Sequence, residues 1–166
     1  MTINSLSDLT IEGLRRFAKG VSVISAEFDG NKYAIVATAV SEVSIDPPTL
    51  LVCINQSASI SMPMKEGADF AINFLSADQT EVAKACSGGK SGEDRFTVGD
   101  WTKSEDGEFW TLKGAQASYM CRIRQQIEVG THTIFVGAVQ QVHISEHIAP
   151  LVYFDGSYAI VKKTES

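Results

Sequence analysis

The stretch YAIVATAVSEVSIDPPTLLVCINQSAS, residues 33–59, decides the fold. Two runs rich in β-branched and apolar residues flank the turn-forming sequence Asp46-Pro47-Pro48, and such runs are typical of strands. We therefore predict two neighbouring strands, residues 33–43 and 49–55, joined by a tight corner. Both strands end in small residues, so their backbones can approach a flat, phosphorylated ligand closely. This pattern favours a cofactor site built on a barrel rather than on a glycine-rich loop.

The rest of the chain contains many strand patterns and few helical ones. Apolar periodicity indicates a helix over residues 7–19, capped by Ser7 or Asp8, and shorter helices over 59–66 and 78–86. Strands are predicted at 21–28, 70–75, 109–112, 115–129, 133–145 and 151–160, with a hairpin turn at 29–31 and a long polar loop over 87–106. The βαβ alternation of a parallel sheet is missing, so we predict a mainly β, antiparallel, Greek-key-like barrel with a few peripheral short helices.

Composition limits the class of protein. A chain of 166 residues with 44% hydrophobic and 20% charged residues is typical of a single globular domain, here over residues 1–166. The formal net charge of -6 disfavours nucleic acid and anionic membrane surfaces as partners. No apolar run reaches the ~20 residues that span a bilayer, and no signal-peptide pattern is evident. The three cysteines show neither disulfide nor zinc spacing, so we expect a reduced, cytoplasmic protein that binds neither nucleic acid nor membrane.

The common catalytic signatures are missing from the sequence. It contains no nucleophile elbow, no dinucleotide-binding glycine motif and no zinc-protease motif. The run Gly88-Gly89-Lys90-Ser91-Gly92 follows a predicted helix rather than a strand, which disfavours a nucleotide phosphate loop. His143 and His147 lie beside a β-rich run, so exposed histidines are favoured over a metal pair, and no metal is expected. His132, at the start of an apolar strand, is either a structural histidine or one that stacks on an aromatic ligand.

Two further segments allow both a binding and a structural interpretation. Ser57 and Ser59 alternate along a predicted extended segment and could hold a phosphate, or one of them could cap the helix that follows. Arg95 and Lys90 in the long loop are natural partners for a phosphate. The structural alternative for Arg95 is a solvated charge pair beside a buried Phe96.

Several motifs, taken in order, resemble those of the short-chain flavin reductases, the reductase components of two-component flavin monooxygenases. They are Phe17-Ala18-x-Gly20-Val21-Ser22-Val23-Ile24-Ser25, the segment at 35–55, Asp94-Arg95-Phe96, Leu112-Lys113-Gly114-Ala115, Gly130-Thr131-His132-Thr133 and Leu151-Val152-Tyr153-Phe154. The chain is most similar to the reductase components that serve 4-hydroxyphenylacetate 3-monooxygenase. The resemblance extends over residues 17–158, nearly the whole chain, and its most specific part is the strand pair.

The resemblance implies an FMN-binding split barrel, usually a homodimer. It implies hydride transfer from nicotinamide C4 of NADH, or of NADPH, to N5 of FMN or FAD, which then diffuses to a partner monooxygenase. By position, the flavin ring and ribityl chain would contact Ala37, Thr38, Ala39, Val40 and Ser41, and the ribityl and phosphate would contact Asn55, Gln56, Ser57, Ala58 and Ser59. Ser87 and Arg95 would touch the flavin from the loop side. His132 would position the nicotinamide, with Tyr158 nearby, and no residue would act as acid or base.

Two residues depart from the family pattern. Glu42 stands where serine is frequent, on a wall meant to receive an anion, and Asp155 stands where a basic residue is common. Asp155 disfavours a 2′-phosphate clamp, so NADH is preferred to NADPH. Two alternatives are a non-catalytic flavin-binding protein and another flavin-dependent oxidase on the same barrel, such as a pyridoxine-phosphate oxidase-like enzyme. The basic phosphate-binding residues of the latter are not evident in this sequence.

Overall fold

The computed structural model describes residues 5–164, in which antiparallel strands dominate. The helical elements are α1 (Leu6–Leu14), α2 (Ser61–Lys65), α3 (Thr80–Lys84), a π-helical turn (Ala85–Gly89) and a 3₁₀ turn (Gly92–Thr97). The first six strands are β1 (Lys19–Gly20), β2 (Ser22–Phe28), β3 (Asn31–Ala37), β4 (Val40–Ile45), β5 (Pro48–Asn55) and β6 (Phe70–Phe74). The remaining strands are β7 (Trp101–Lys103), β8 (Trp110–Leu112), β9 (Ala117–Val129), β10 (His132–Ile144), β11 (Leu151–Phe154) and β12 (Ser157–Ile160).

A seven-stranded antiparallel sheet, in the order β3-β2-β6-β9-β10-β5-β4, forms the barrel. β3 and β4 lie at opposite ends of this order, yet only Thr38 and Ala39 separate them in the chain. The two end strands of the sheet therefore meet where the chain crosses at Thr38 and Ala39. The N–H of Cys53 on β5 donates to the carbonyl of Ala39 at 2.9 Å, which extends the pairing of β4 with β5 back to this crossing. The predicted mainly β, antiparallel barrel with short peripheral helices is confirmed.

The predicted strand over residues 33–43 is two strands rather than one. Up to Ala37 the chain pairs with β2, and from Val40 it pairs with β5 instead. Strand propensity records which residues suit a pleated surface, but it does not record a change of pairing partner. The predicted corner is confirmed, since β4 and β5 form a hairpin around Asp46 and Pro47, whose shared peptide bond is cis.

Two apolar clusters form the core of the fold, one inside the barrel and one outside it. Inside the barrel, Phe70 and Phe135 are completely buried and pack in one cluster with Ile54 and Met64. A second cluster lies beneath α3, β8 and β11 and includes Val82, Cys86, Leu112 and Leu151. Burying a large apolar side chain stabilises the fold by roughly 1.5–3 kcal/mol relative to exposure. The second cluster therefore anchors both the loop after α3 and the separate three-stranded sheet β1-β11-β12.

The first helix differs from its prediction at both ends. Its N-cap is Ser5, not Ser7 or Asp8, and a reciprocal capping box links Ser5 to Asp8. The Ser5 hydroxyl accepts from the Asp8 N–H at 3.1 Å, while the Asp8 carboxylate accepts from the Ser5 N–H at 3.0 Å. The helix ends at Leu14, and none of its residues is buried within the chain. Its apolar side chains are therefore exposed to solvent.

Candidate functional site

The end of β5 and the start of β10 form one rim of the barrel. Asn55 and His132 are partners in the strand register. The N–H of Gln56 donates to the carbonyl of Thr131 at 2.9 Å, and its Nε2 lies 3.5 Å from the carbonyl of His132. The imidazole of His132 is exposed, with Nδ1 3.0 Å from the hydroxyl of Thr131. Residues far apart in the sequence, predicted to hold a phosphate and a nicotinamide, therefore lie together.

Residues 55–59 form a turn and not the predicted extended segment. The Oδ1 of Asn55 accepts from the N–H of Ser57 at 2.9 Å and from its hydroxyl at 2.8 Å. The N–H of Ala58 donates to the Asn55 carbonyl at 3.0 Å. α2 has Ile60 as its N-cap and no side-chain cap, so neither Ser57 nor Ser59 caps it. The turn presents small and hydroxyl side chains at the rim, a donor set that suits a phosphate.

The crossing from β3 to β4 carries Ala37, Thr38 and Ala39, followed by Val40 and Ser41 on β4. Val40 and Ser41 pair with β5, opposite Val52 and Leu51. β5 also carries Asn55 at its end, so one strand holds both predicted arms of the site. Of the two small residues in this crossing, Ala39 is exposed, whereas Ala37 is buried in the barrel core and its carbonyl accepts from the Ser22 hydroxyl at 2.7 Å.

The loop after α3 packs on the edge strand β3 through Arg95. The Nη1 of Arg95 donates to the Ala34 carbonyl at 2.5 Å, and its Nε donates to the Lys90 carbonyl at 2.9 Å. Ser87 is exposed in the π-helical turn and donates to the Lys84 carbonyl at 3.1 Å. The structural alternative of a solvated charge pair at Arg95 is wrong, since its guanidinium binds backbone carbonyls. Guanidinium N–H groups that these two bonds do not use can bind an anion.

A cleft of about 490 Å³ opens beside Thr38, the member of the predicted set that lies on its wall. This volume lies in the range of small-molecule and cofactor pockets. The other lining residues are Ile11, Leu14, Arg15, Phe17, Lys19, Tyr153, Asp155 and Gly156. Phe17 and Tyr153 can stack on a flat ring, and Lys19 supplies a cation. Sequence reasoning gave these three residues no binding role, although Phe17 and Tyr153 belong to the quoted motifs.

Asp155, which stands where the flavin reductases commonly have a basic residue, forms an ion pair in this structure. Its carboxylate lies 3.2 Å from the Nε of Arg15, and its N–H donates to the Arg15 carbonyl at 3.0 Å. Arg15 also lies against Gly156, where an added Cβ would come within 3.0 Å of Nη2. Asp155 therefore fastens the end of α1 to the β11–β12 turn at the edge of the Thr38 cleft.

Glu42, which stands where serine is frequent in the flavin reductases, lies on a different surface from Asp155. Glu42, Val40 and Ser41 line a separate hollow of about 450 Å³. The same hollow is lined by Tyr119 and Gln141 of the barrel. The acid therefore does not line the cleft beside Thr38, and the predicted ring-binding arm is divided between two surfaces of the chain.

Tyr158 lies apart from the rim that carries His132. It belongs to β12 in the three-stranded sheet, where its ring packs edge to face on Tyr153 with centroids 5.6 Å apart. Its ring also contacts the second apolar cluster, which includes Cys86 and Leu151. The structure thus connects Tyr158, through Tyr153, with the Thr38 cleft.

The three cysteine thiols are poor nucleophiles in the folded protein, because their raised pKa values leave little thiolate at neutral pH. Burial raises the pKa of Cys86 to about 11 and that of Cys121 to about 12, and it also raises the pKa of Cys53. The described residues contain no cluster of three or more potential metal-ligating side chains. No helix within residues 5–164 is long and apolar enough to cross a membrane.

Comparison with known proteins agrees with this arrangement. The family model "Flavin reductase like domain" matches residues 14–162. The reductase component of the FADH(2)-dependent resorcinol hydroxylase of Rhizobium sp. (strain MTP-10005) is 37% identical over 147 residues, covering 87% of this chain and 82% of that protein. The FMN reductase (NADH) RutF of Agrobacterium fabrum (strain C58 / ATCC 33970) is 35% identical over 149 residues, covering 89% of this chain and 84% of the relative.

A solved structure extends the comparison to three dimensions. BorF, the flavin reductase component of a bacterial two-component tryptophan halogenase, superposes with a TM-score of 0.84. It is 26% identical, and the match covers 94% of this chain and 99% of BorF. The family match covers nearly all of the described barrel, and both sequence relatives exceed the identity at which a shared family is expected over such a length. The chain therefore belongs to the flavin reductase-like domain family.

Proposed function

We propose that this protein is an NAD(P)H-dependent flavin reductase that transfers hydride from nicotinamide C4 to N5 of FMN or FAD. One observation carries the proposal beyond family membership. The register of β5 with β10 pairs Asn55 with His132, which supports the proposal that the Asn55–Ser59 turn holds the phosphate and that the nearby imidazole faces the nicotinamide. Such a reaction needs two rings held at reacting distance more than it needs an acid or a base.

The site residues divide into four groups by role. Ala37, Thr38, Ala39, Val40 and Ser41 contact the flavin ring and ribityl chain, with Thr38 on the cleft wall and Val40 and Ser41 on the separate hollow. Asn55, Gln56, Ser57, Ala58 and Ser59 hold the ribityl and phosphate. Ser87 and Arg95 contact the flavin from the loop. His132 orients the nicotinamide, and Tyr158 lies on the nicotinamide side. A bound flavin supplies the redox chemistry, and the chain supplies position and electrostatics.

Reduced flavin leaves this protein for a partner monooxygenase. Two relatives support this step, because one is the reductase component of a resorcinol hydroxylase and the other is the flavin reductase component of a tryptophan halogenase. NADH is the preferred donor, because the carboxylate of Asp155 next to Arg15 opposes the binding of a 2′-phosphate there. We place the activity in the cytoplasm and in one domain spanning residues 1–166.

The active form is a homodimer. α1 buries none of its residues within the chain, and its apolar side chains Leu6, Leu9, Ile11 and Leu14 are each at least 50% exposed. Helices of this kind gain most of their stability from packing an apolar face. A second copy of the chain supplies a surface for that face. His132 and Tyr158, which lie in different sheets, can then serve one nicotinamide from two chains.

An absorbance assay tests the proposed reaction. Purified protein is mixed with NADH or NADPH and with FMN, FAD or riboflavin, and nicotinamide oxidation is followed against a blank without protein. We expect oxidation with NADH and FMN or FAD, at a higher kcat/KM than with NADPH. Flavin binding with no oxidation of either dinucleotide would instead favour the non-catalytic flavin-binding alternative and refute the reductase.

The role of His132 is tested by replacing it with alanine. We expect His132→Ala to raise the KM for NADH and to lower kcat by roughly tenfold or more, as loss of a ring-positioning group does. The FMN dissociation constant should change by less than about twofold, since the phosphate turn remains. His143→Ala, which alters another histidine of β10, is the matched control. Unchanged NADH kinetics in His132→Ala would remove this residue from the site.

A further inference from the structure

The outer edge of β3 is covered by side chains of the 3₁₀ turn. The Oε1 of Glu93 accepts from the N–H of Lys32 at 3.2 Å, and Arg95 donates to the Ala34 carbonyl at 2.5 Å. Lys32 and Ala34 are alternate residues, so their backbone groups point to the same edge of the strand. Glu93 and Arg95 thus occupy the positions that a neighbouring strand would take, which is one way of protecting an exposed edge.

Lys32 joins Glu93 to an aromatic surface. Its Nζ lies 3.9 Å from Oε2 of Glu93, 4.9 Å from the ring centroid of Trp110 and 5.2 Å from that of Phe96. The Lys32 side chain is 27% exposed and that of Glu93 is 54% exposed, so the contacts of Lys32 with the two rings are screened less by solvent than its pairing with Glu93. Cation–π contacts of this kind contribute most when they are desolvated.

Trp110 is itself held in place by charged groups. Its indole Nε1 donates to the Glu27 carboxylate at 2.6 Å, and Glu27 lies 2.9 Å from the ammonium of Lys103. The charges along this line alternate in sign, from Lys103 through Glu27 and Lys32 to Glu93. The network therefore connects β7 and β8, across β2 and β3, with the loop that carries Arg95.

The loop is held on both sides of Arg95. Glu93 binds β3 on one side, and Phe96 packs between Trp101 and Trp110 on the other, with centroids 4.7 Å and 5.8 Å away. Arg95 donates to a carbonyl of β3 from between these two anchors. The direction of its guanidinium is therefore set by neighbours that do not line the Thr38 cleft.

We propose that Glu93, acting through Lys32 and the Trp110 ring, is a positioning residue that orients Arg95 and thereby sets the affinity for flavin. Glu93 takes no part in hydride transfer. This inference rests on the proposed function, since it assigns a bound flavin to the face that Arg95 presents. It predicts that loss of Glu93 weakens flavin binding and leaves nicotinamide binding intact.

The test measures FMN binding directly by quenching of flavin fluorescence, without NADH. Glu93→Ala should raise the FMN dissociation constant about tenfold, as loss of a charge-assisted contact does. Glu93→Gln keeps an acceptor for the Lys32 N–H and should raise it less. Lys32→Met, which keeps an apolar stem but removes the charge, should resemble Glu93→Ala. Glu108→Ala removes a carboxylate from an unrelated ion pair, 2.8 Å from Arg122, and should leave the constant unchanged.

Two further readouts separate this inference from the proposed function. Trypsin cleavage after Lys90 and Arg95, measured without flavin, should be faster in Glu93→Ala than in wild type or Glu108→Ala. With saturating FMN, kcat and the KM for NADH of Glu93→Ala should stay within about twofold of wild type. Wild-type FMN affinity in both Glu93→Ala and Lys32→Met would overturn the inference, even if cleavage were faster. Failure of the wild-type protein to oxidise NADH would overturn the proposed function and would leave the binding comparison valid.

Discussion

At the scale of single residues, the buried amide of Asn73 is the polar centre of the fold. Its Nδ2 donates to the Val23 carbonyl and to the Ser25 hydroxyl, both at 3.1 Å. Its Oδ1 accepts from the Leu112 N–H at 3.0 Å and from the Ser118 hydroxyl at 2.8 Å. The amide thus uses its full capacity and links β6 to β2, β8 and β9.

Replacing Asn73 by alanine should destabilise the protein strongly. Asn73→Ala leaves its buried partners without their bonds, so we expect the free energy of unfolding to fall by about 2–5 kcal/mol. Urea unfolding followed by tryptophan fluorescence measures the change. Asn31→Ala removes an exposed amide that donates to the Asp29 carbonyl at 3.2 Å, and it should cost less than about 0.5 kcal/mol. Equal losses in the two variants would contradict the role of Asn73.

At the scale of elements, Glu27 on β2 fastens the β7–β8 hairpin to the barrel. Its carboxylate accepts from Trp110 at 2.6 Å and pairs with Lys103 at 2.9 Å. These hydrogen bonds, first that from Lys103 and then that from Trp110, hold the pKa of Glu27 below its usual value of 4.5, with a smaller contribution from the charge of Lys32. A lowered pKa in the folded state stabilises the fold above the unfolded pKa, and this stability is lost as pH falls through the folded pKa.

The pH dependence of unfolding tests this link. Glu27→Gln should lower the free energy of unfolding by about 1 kcal/mol at pH 7, because the side chain is 30% exposed and its interactions are partly screened by solvent. The difference from wild type should shrink as pH falls below 4.5, the usual pKa of this carboxyl. Urea titrations between pH 7 and pH 3 measure it. A difference that stays constant over this range would show that Glu27 acts through packing alone.

Local sequence patterns predict where strands and turns lie, but they do not predict where a strand changes its pairing partner. The hairpin turn at Asp29 and Gly30 can be predicted from the sequence, because both residues take positive φ and Gly and Asp are favoured at such positions. The break at Thr38 and Ala39 is not readable, since both residues also fit a continuous strand. The two predicted arms of the site, residues 37–41 and 55–59, come from the family resemblance and not from local sequence patterns. Lys19 and Glu93 were missed, because their roles depend on elements that the barrel brings together from distant parts of the chain.

At the scale of the whole molecule, the three cysteine thiols differ in how deeply they are buried and in which part of the fold surrounds them. Cys53 is half-buried on β5, whereas Cys86 lies in the π-helical turn directly after α3, with its side chain in the second cluster. Cys121 lies in the barrel core, and an added Cβ on Gly137 would come within 2.8 Å of both Cys121 and Phe70. Buried groups react only when the structure around them opens, and loops open at lower free energy than the core of a sheet.

Thiol labelling with DTNB at pH 8 should therefore report three different events. We expect Cys53 to react first, Cys86 next through local opening of the loop, and Cys121 only at the rate set by global unfolding. The raised pKa values of about 11 for Cys86 and about 12 for Cys121 act in the same direction, because the thiolate is the reactive form. Low urea should accelerate Cys121 far more than Cys86, since global unfolding exposes more surface. Single-cysteine variants resolve the three rates, and equal urea dependence at Cys86 and Cys121 would mean that loop and barrel open as one cooperative unit.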